Sequence, residues 1–420
     1  MKKVIAIKGR GKKEVEEALR MAEVIDARVE LIQALIPMGL DAVKDLLQQE
    51  VRSLAGEWYD RERPMPGLVR WGRQSSSVYL SYQKLQIMAP RIRDRIRGCE
   101  IPLRSLEGLQ TPRGMDEGLF QRILKGLSCR DYEGCAEAVP QAFGLSSSTV
   151  SRRYIRASAR RLKELMGRRL EGYDFVAIIL DGKRFGDDEL VIAVGVTVAG
   201  KKIILGFVQT ATENEKACSD FLKELVDRGL GVEDGILAVI DGSKGLRKAV
   251  EVVLGNRAAI QRCQWHKREN VVAYLPVSRQ ETMRRKLQAA YEQPTYDEAK
   301  GELQRIAKEL KLINLSAAKS LEEGFEETLT LHRLGLFQKL GVSLKTTNLI
   351  ESINAGQGQR TDKVDRWRNS DQKQRWVASA LLDVEKGLRK IKGHRDLPLL
   401  RETLKKSTSE KELQKMRKAA

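Results

Sequence analysis

Residues 175–185 read FVAIILDGKRF and residues 235–245 read GILAVIDGSKG. Each is an apolar run of strand length, rich in branched residues, that stops at an aspartate followed at once by a glycine. An apolar stretch without alternation is the pattern of a strand covered on both faces. Asp181 and Asp241 then fall at strand ends, the edge of an α/β sheet where ligands gather. A single Asp-Gly of this kind is commonly only a turn former or a helix cap. Two of them on neighbouring strands can converge on one point: the strand supplies rigidity, the carboxylate a ligand, and the glycine room for a phosphate. Mg2+ suits such a pocket, because it takes oxygen ligands and binds through few protein carboxylates together with phosphate and water.

Outward from these strands the pattern describes a mixed sheet flanked by helices. Residues 189–209 alternate or run apolar, and Gly200 with Lys201 offers a hairpin turn inside them. Residues 214–230 form an amphipathic helix, and residues 243–254 a second one after the strand that ends in Asp241. The stretch from Arg262 to Leu340 reads as almost wholly helical. Beyond it lie KTTNLIESIN, residues 345–354, and a basic helical tail with eighteen basic and nine acidic residues from Arg360 onward.

The first hundred residues read as helices, over 14–25 and 40–60, followed by a β-like patch over 67–97. Arg91, Arg93, Arg95 and Arg97 alternate there, so an extended chain puts all four on one face. Such a face suits a phosphate backbone, and it equally suits a solvated edge strand. From Gly126 to Leu170 an apolar helix, a turn containing Gly144, and capping candidates Ser146 to Thr149 open an Arg-rich helix. That order reads as a helix-turn-helix, whose second helix offers Ser148, Arg152, Arg153 and Arg156 to a groove. Residues 151–170 hold eight basic residues against one acidic, Glu164. A charge run alone is also what a solvated helix face looks like, and the turn chemistry is what favours DNA contact.

Composition narrows the partner. The 420 residues carry 76 Lys and Arg against 57 Asp and Glu, a formal charge of +19, which points to a polyanion. Nucleic acid is favoured over an anionic membrane, since no apolar run approaches the roughly 18 to 20 residues that span a bilayer. The N-terminal MKKVIAIKGRGKK lacks the apolar core of a secretory signal, so a cytoplasmic protein is expected. Five scattered cysteines fit a reducing compartment, and three histidines exclude a site built on several imidazoles. The chemistry must lean on carboxylates. No Gly-x-x-x-x-Gly-Lys-Ser/Thr loop is present, so no ATP-driven step is expected.

Two metals need a third carboxylate. The glutamates at 322, 323, 326 and 327 sit in what reads as a solvated helix. Glu351 differs: Thr346, Thr347 and Asn348 ahead of it are capping residues, which places it in the first turn of a helix able to pack beside both strands.

These pieces, in this order, resemble the Mutator-type transposases of bacterial insertion sequences, within the DDE transposase superfamily. The resemblance runs from the patch at 71–94 through DGKRF, VIDGSKG and RCQWHKREN to TTNLIES. Sixty residues separate Asp181 from Asp241, and 110 separate Asp241 from Glu351; the longer interval matches that family's all-helical insertion.

The resemblance implies a ribonuclease-H-like mixed-sheet catalytic domain of α/β class. It would comprise residues 171–260 and 345–395, interrupted by the helical insertion at 261–344. Before it come an N-terminal DNA-binding region, 1–115, and a helix-turn-helix, 116–170; after it comes a basic tail, 396–420. Asp181, Asp241 and Glu351 would be the catalytic triad and the ligands of Mg2+, for which Mn2+ can substitute. Cys263 and His266 match a Cys-x-x-His signature of the family, with a structural or site-adjacent role favoured over zinc because no second pair lies within finger spacing. Trp265 between them would stack on a flipped base, or serve as a core tryptophan. DNA would be bound as terminal inverted repeats and as target, by a homodimer or larger assembly, nucleoid-associated in a bacterial cell. The competing readings are a DNA-binding regulator that has lost catalysis and a ribonuclease-H-like nuclease that cuts without joining.

Overall fold

The computed structural model describes residues 39–59, 64–80, 83–110, 117–126, 142–143, 147–211, 214–364 and 366–419. The helix expected over 14–25, the first helix of the helix-turn-helix, and Ser146 lie outside these residues. The chain forms two compact units, Met1–Ile123 with Leu127–Tyr154, and Leu124–Gly126 with Ile155–Ala420.

In the first unit a helix over 39–55, α1, shares a core with a long hairpin of β1 (Leu68–Leu80) and β2 (Gln83–Asp94). Val43, Leu47 and Val51 of the helix meet Val78, Leu85 and Ile92 of the hairpin. β2 also pairs with β3 (Cys99–Ile101) and β4 (Ala142–Phe143). The four-arginine face is not formed. The Asp94 carboxylate accepts the backbone N–H groups of Ile96 and Arg97, at 2.8 and 3.1 Å, and turns the chain. Only Arg91 and Arg93 stay in the strand. Two short helices, α2 (Arg104–Gln110) and α3 (Glu117–Leu124), precede the arginine-rich α4 (Ser147–Met166), the helix expected at that position.

The second unit is built on a mixed five-stranded sheet in the order β7-β6-β5-β8-β9. β5 (Phe175–Phe185), β6 (Asp188–Thr197) and β7 (Lys202–Thr210) form an antiparallel meander, with Gly200 at φ +82° in the expected second turn. β8 (Ile236–Ile240) and β9 (Ala258–Arg262) extend it in parallel. β9 was not expected: its sequence AAIQR is short and half polar. β5 also runs past Asp181, because its antiparallel ladder with β6 continues to Phe185 opposite Asp188, whereas its parallel ladder with β8 stops at Leu180. Asp181 is therefore not the last residue of its strand. It is the first beyond the parallel pairing.

Helices cover both faces. α5 (Glu215–Asp227) and α6 (Lys244–Leu254) pack Phe221, Leu222, Leu246 and Val250 against Ile178, Leu180 and Ile240. Between β9 and the final helices the chain is helical: α7 (Gln264–Val272), α8 (Val277–Tyr291), α9 (Tyr296–Ile313), α10 (Leu315–Glu322), α11 (Phe325–Thr328), α12 (Thr330–Arg333) and α13 (Phe337–Leu344). Leu287, Leu303, Leu310 and Leu321 belong to a separate core within this segment. The opposite sheet face is covered by α14 (Asn348–Thr361), α15 (Ser370–Glu385) and α16 (Leu397–Ala419), through Ile350, Ile353, Val377 and Leu381.

Two expectations need correction here. Leu397, Leu400 and Leu404 of α16 are buried in the same core as β5 and β8, so the first half of the basic tail is part of the fold. The glutamates of the helical segment are paired rather than merely solvated: Glu327 accepts from Arg247 at 2.5 Å, and Glu326 from Lys300 at 2.7 Å. Glu323 lies 3.5 Å from Arg262 and 3.8 Å from Lys267. Among the described residues no helix is long and apolar enough to cross a membrane.

Candidate active site

The site begins in the sheet register. Leu180 of β5 pairs with Ile240 of β8, so Asp181 and Asp241 are the next residues on neighbouring parallel strands, whose backbones lie about 5 Å apart. Ile240 pairs in turn with Arg262 of β9, and the backbone N–H of Cys263 donates to the Ile240 carbonyl at 2.7 Å. Asp181, Asp241 and Cys263 thus form a row along the carboxyl edge of three parallel strands. α7 starts at the end of that row and carries Trp265 and His266. The backbone N–H of Gln264 donates to the carbonyl of Lys345 at 3.0 Å, which brings the start of α14, with Glu351 in its first turn, to the same edge.

The electrostatics follow from burial. Asp181 is 5% exposed. Burial, and then the negative charge of Asp241, push its pKa up to about 7; His266 and a hydrogen bond from Thr347 pull the other way, and Glu351 adds a smaller push upward. Burial works against the charge of His266, yet a hydrogen bond and charge interaction with Cys263, followed by Asp181 and Asp241, raise its pKa to about 9. The His266 Nε2 lies 3.9 Å from Oε1 of Glu351, and its Nδ1 lies 3.3 Å from the Thr347 hydroxyl. Asp241 also serves as the turn former that its Asp-Gly pair foreshadowed: its Oδ1 accepts the N–H of Ser243 at 2.9 Å, and the Ser243 side chain caps α6. Among the described residues no three His, Cys, Asp or Glu side chains come together closely enough to hold a metal ion by themselves.

Three residues of this neighbourhood carried no signal in the sequence. Thr347, fully buried, reaches His266 with its hydroxyl. The Arg262 guanidinium donates to the carbonyls of Gly242 at 3.0 Å and Glu323 at 3.2 Å. Lys267 is fully buried and donates to the carbonyls of Ser320 and Glu323, each at 2.6 Å; burial pushes its pKa down to about 8. Beside the Asp241 loop opens a cavity of about 520 Å³, lined by Lys244, Lys248, Arg247 and Arg262 with Glu215 and Glu323. Arg247 and Arg262 are tied to glutamates, whereas Lys244 and Lys248 are exposed and have no ion-pair partner among the described residues.

The residues expected to meet DNA differ in their surroundings. Arg91 forms a bidentate pair with Glu100, at 2.5 and 2.7 Å, and Arg93 lies over the Trp71 ring at 4.9 Å. On α4, Ser148, Arg152 and Arg156 are exposed, but Arg153 is 8% exposed and its guanidinium lies over the Tyr79 ring. Trp265 is 40% exposed and meets the His266 ring edge-on.

A family model described as "Transposase, Mutator family" matches residues 11–389. The chain belongs to the Mutator family of transposases. Curated relatives of this Mutator-family chain agree. It is 27% identical over 371 residues to the transposase for insertion sequence element ISRM5 of Rhizobium meliloti (strain 1021), covering 86% of this chain and 90% of the relative. It is 25% identical over 356 residues to the transposase for IS905 of Lactococcus lactis subsp. lactis (strain IL1403), covering 81% and 86%. Over 196 residues, 46% of this chain and 48% of the relative, it is 28% identical to the IS256 transposase of transposon Tn4001 in Staphylococcus aureus.

Proposed function

We propose that this Mutator-family transposase cuts and joins DNA at the ends of its insertion sequence, with Asp181, Asp241 and Glu351 as metal ligands on a ribonuclease-H-like fold. One observation carries the reading. Asp181 and Asp241 are the next residues after a paired position on neighbouring parallel strands, with Glu351 in the first turn of α14 at the same edge, and burial, then the Asp241 charge, push the Asp181 pKa up to about 7. Carboxylates that resist their own ionisation are stabilised by a divalent cation, and their oxygen donors suit Mg2+, with Mn2+ as a substitute. Bound there, Mg2+ would polarise a phosphodiester and activate a water or 3′-hydroxyl for in-line displacement.

The chain's own residues supply position and charge. His266, held in its charged form near neutral pH, balances Asp181 and faces Glu351. The exposed Lys244 and Lys248, beside the Asp241 loop, offer a seat for the sugar-phosphate backbone. Trp265, half-exposed next to His266, is placed to stack on an unpaired base. We read α4 as the second helix of a helix-turn-helix that contacts the terminal repeats through Ser148, Arg152 and Arg156. Two ends must be joined in one reaction, which calls for at least a dimer on DNA.

The test is a plasmid carrying the gene with its flanking DNA, probed by PCR for joined element ends in cells. The reading predicts junctions with the natural protein and none with Asp181→Asn or Asp241→Asn. Specific binding to the flanks without junctions would favour a regulator. Nicks without junctions would favour a nuclease.

A further inference from the structure

We infer that Thr347 is a positioning residue of the phosphoryl-transfer site, its hydroxyl holding His266 beside Glu351; the inference rests on the function proposed above. Thr347 is the N-cap of α14, where a threonine side chain ordinarily accepts a backbone N–H of the first turn. Its side chain makes no capping bond. The hydroxyl instead lies 3.3 Å from Nδ1 of His266. The helix start forgoes its side-chain cap, and the hydroxyl is used on His266 instead.

A hydroxyl donates one hydrogen and accepts through two lone pairs, so it can hold Nδ1 of His266 whichever ring nitrogen carries the proton. That leaves Nε2 on the side of Glu351, 3.9 Å away. The Thr347 carbonyl also accepts the backbone N–H of Ile350 at 2.8 Å and of Glu351 at 3.3 Å, so the same residue anchors the turn that carries Glu351. One fully buried residue thus links the Cys-x-x-His segment and the glutamate helix α14. It also gives the imidazole an organising part: Nδ1 is engaged by a hydroxyl and Nε2 faces a carboxylate.

Thr347→Val keeps the shape and removes the hydroxyl, and Thr347→Ser keeps the hydroxyl. Cleavage of a supercoiled plasmid carrying the element's flanks is followed as Mg2+ is titrated, with urea unfolding of each variant alongside. The valine variant is expected to need roughly 10- to 100-fold more Mg2+ or to cleave that much more slowly, with serine within a few-fold of the natural protein. A valine variant as active as the natural protein, or a serine variant as impaired as valine, overturns the inference. Should the valine variant not fold, Thr347→Cys, with its weak donor, is expected to show an intermediate loss, and natural activity from it would overturn the inference equally. Asp181→Asn is run in parallel: full cleavage by that variant refutes the metal-ligand reading itself, whereas its inactivity beside an unimpaired valine variant refutes only the role of Thr347.

Discussion

Arg262 donates to the carbonyl of Gly242 at 3.0 Å, and through that bond a buried guanidinium holds the residue that follows Asp241. The same side chain reaches the carbonyl of Glu323 in the helical segment. It fits because Gly242, at φ +112°, and Gly324, at φ +63°, leave it room; a Cβ on either would collide with it. Gly242→Ala is therefore expected to combine backbone strain with a clash, costing about 2 to 4 kcal/mol in urea unfolding. An unchanged midpoint would show that the loop has another way to accommodate the side chain.

Asp181 gives a pH dependence with a definite sign. Its folded pKa, about 7, lies above its ordinary value of 3.8, so the folded protein holds this proton more tightly than the unfolded chain. The contribution to stability is complete below about pH 4 and lost as pH rises toward 7, on the order of 4 kcal/mol for the metal-free protein. Asp181→Asn should be more stable than the natural protein without metal, with a difference that grows from pH 5 to pH 8 in thermal unfolding. Mg2+ should narrow that difference. A gap independent of pH would contradict the assigned environment.

Much of this site was legible in the sequence, for reasons that also mark where legibility ended. Asp181 and Asp241 stood out because an apolar run that stops at a carboxylate is a local pattern, and Glu351 because capping residues announce a helix start. Thr347 gave no such sign: its partner His266 lies 81 residues away, and its own position predicts a cap that it does not make. β9 was missed because Gln261 and Arg262 are buried polar residues whose partners lie far along the chain, such as the carbonyl of Thr328, 67 residues on from Gln261. The alternating arginines misled because Asp94 ends the strand between Arg93 and Arg95.

On α4 the three arginines should separate by role. Arg152→Ala and Arg156→Ala are expected to weaken binding to the element's flanks with little change in stability. Arg153→Ala, which removes a buried contact with Tyr79, should instead lower stability by about 1 to 2 kcal/mol. Gel-shift titration and urea unfolding of the three variants would distinguish the effects, and equal binding losses from all three would reject this division.

Lys244→Gln together with Lys248→Gln should weaken DNA binding uniformly across sequences. If each lysine neutralises one phosphate, the slope of log affinity against log salt should become shallower by about 2. An unchanged slope would remove the cavity from the DNA path.

The central claim is that three carboxylates from β5, β8 and α14 act as one metal site for cutting and joining DNA. Its most direct measurement is strand cleavage and end joining by purified protein on a plasmid carrying the element's flanks, in Mg2+, comparing the natural protein with Glu351→Gln. The account predicts cleaved and joined products from the natural protein, neither from the variant, and equal binding of the flanks by both. Full cleavage and joining by Glu351→Gln would contradict it.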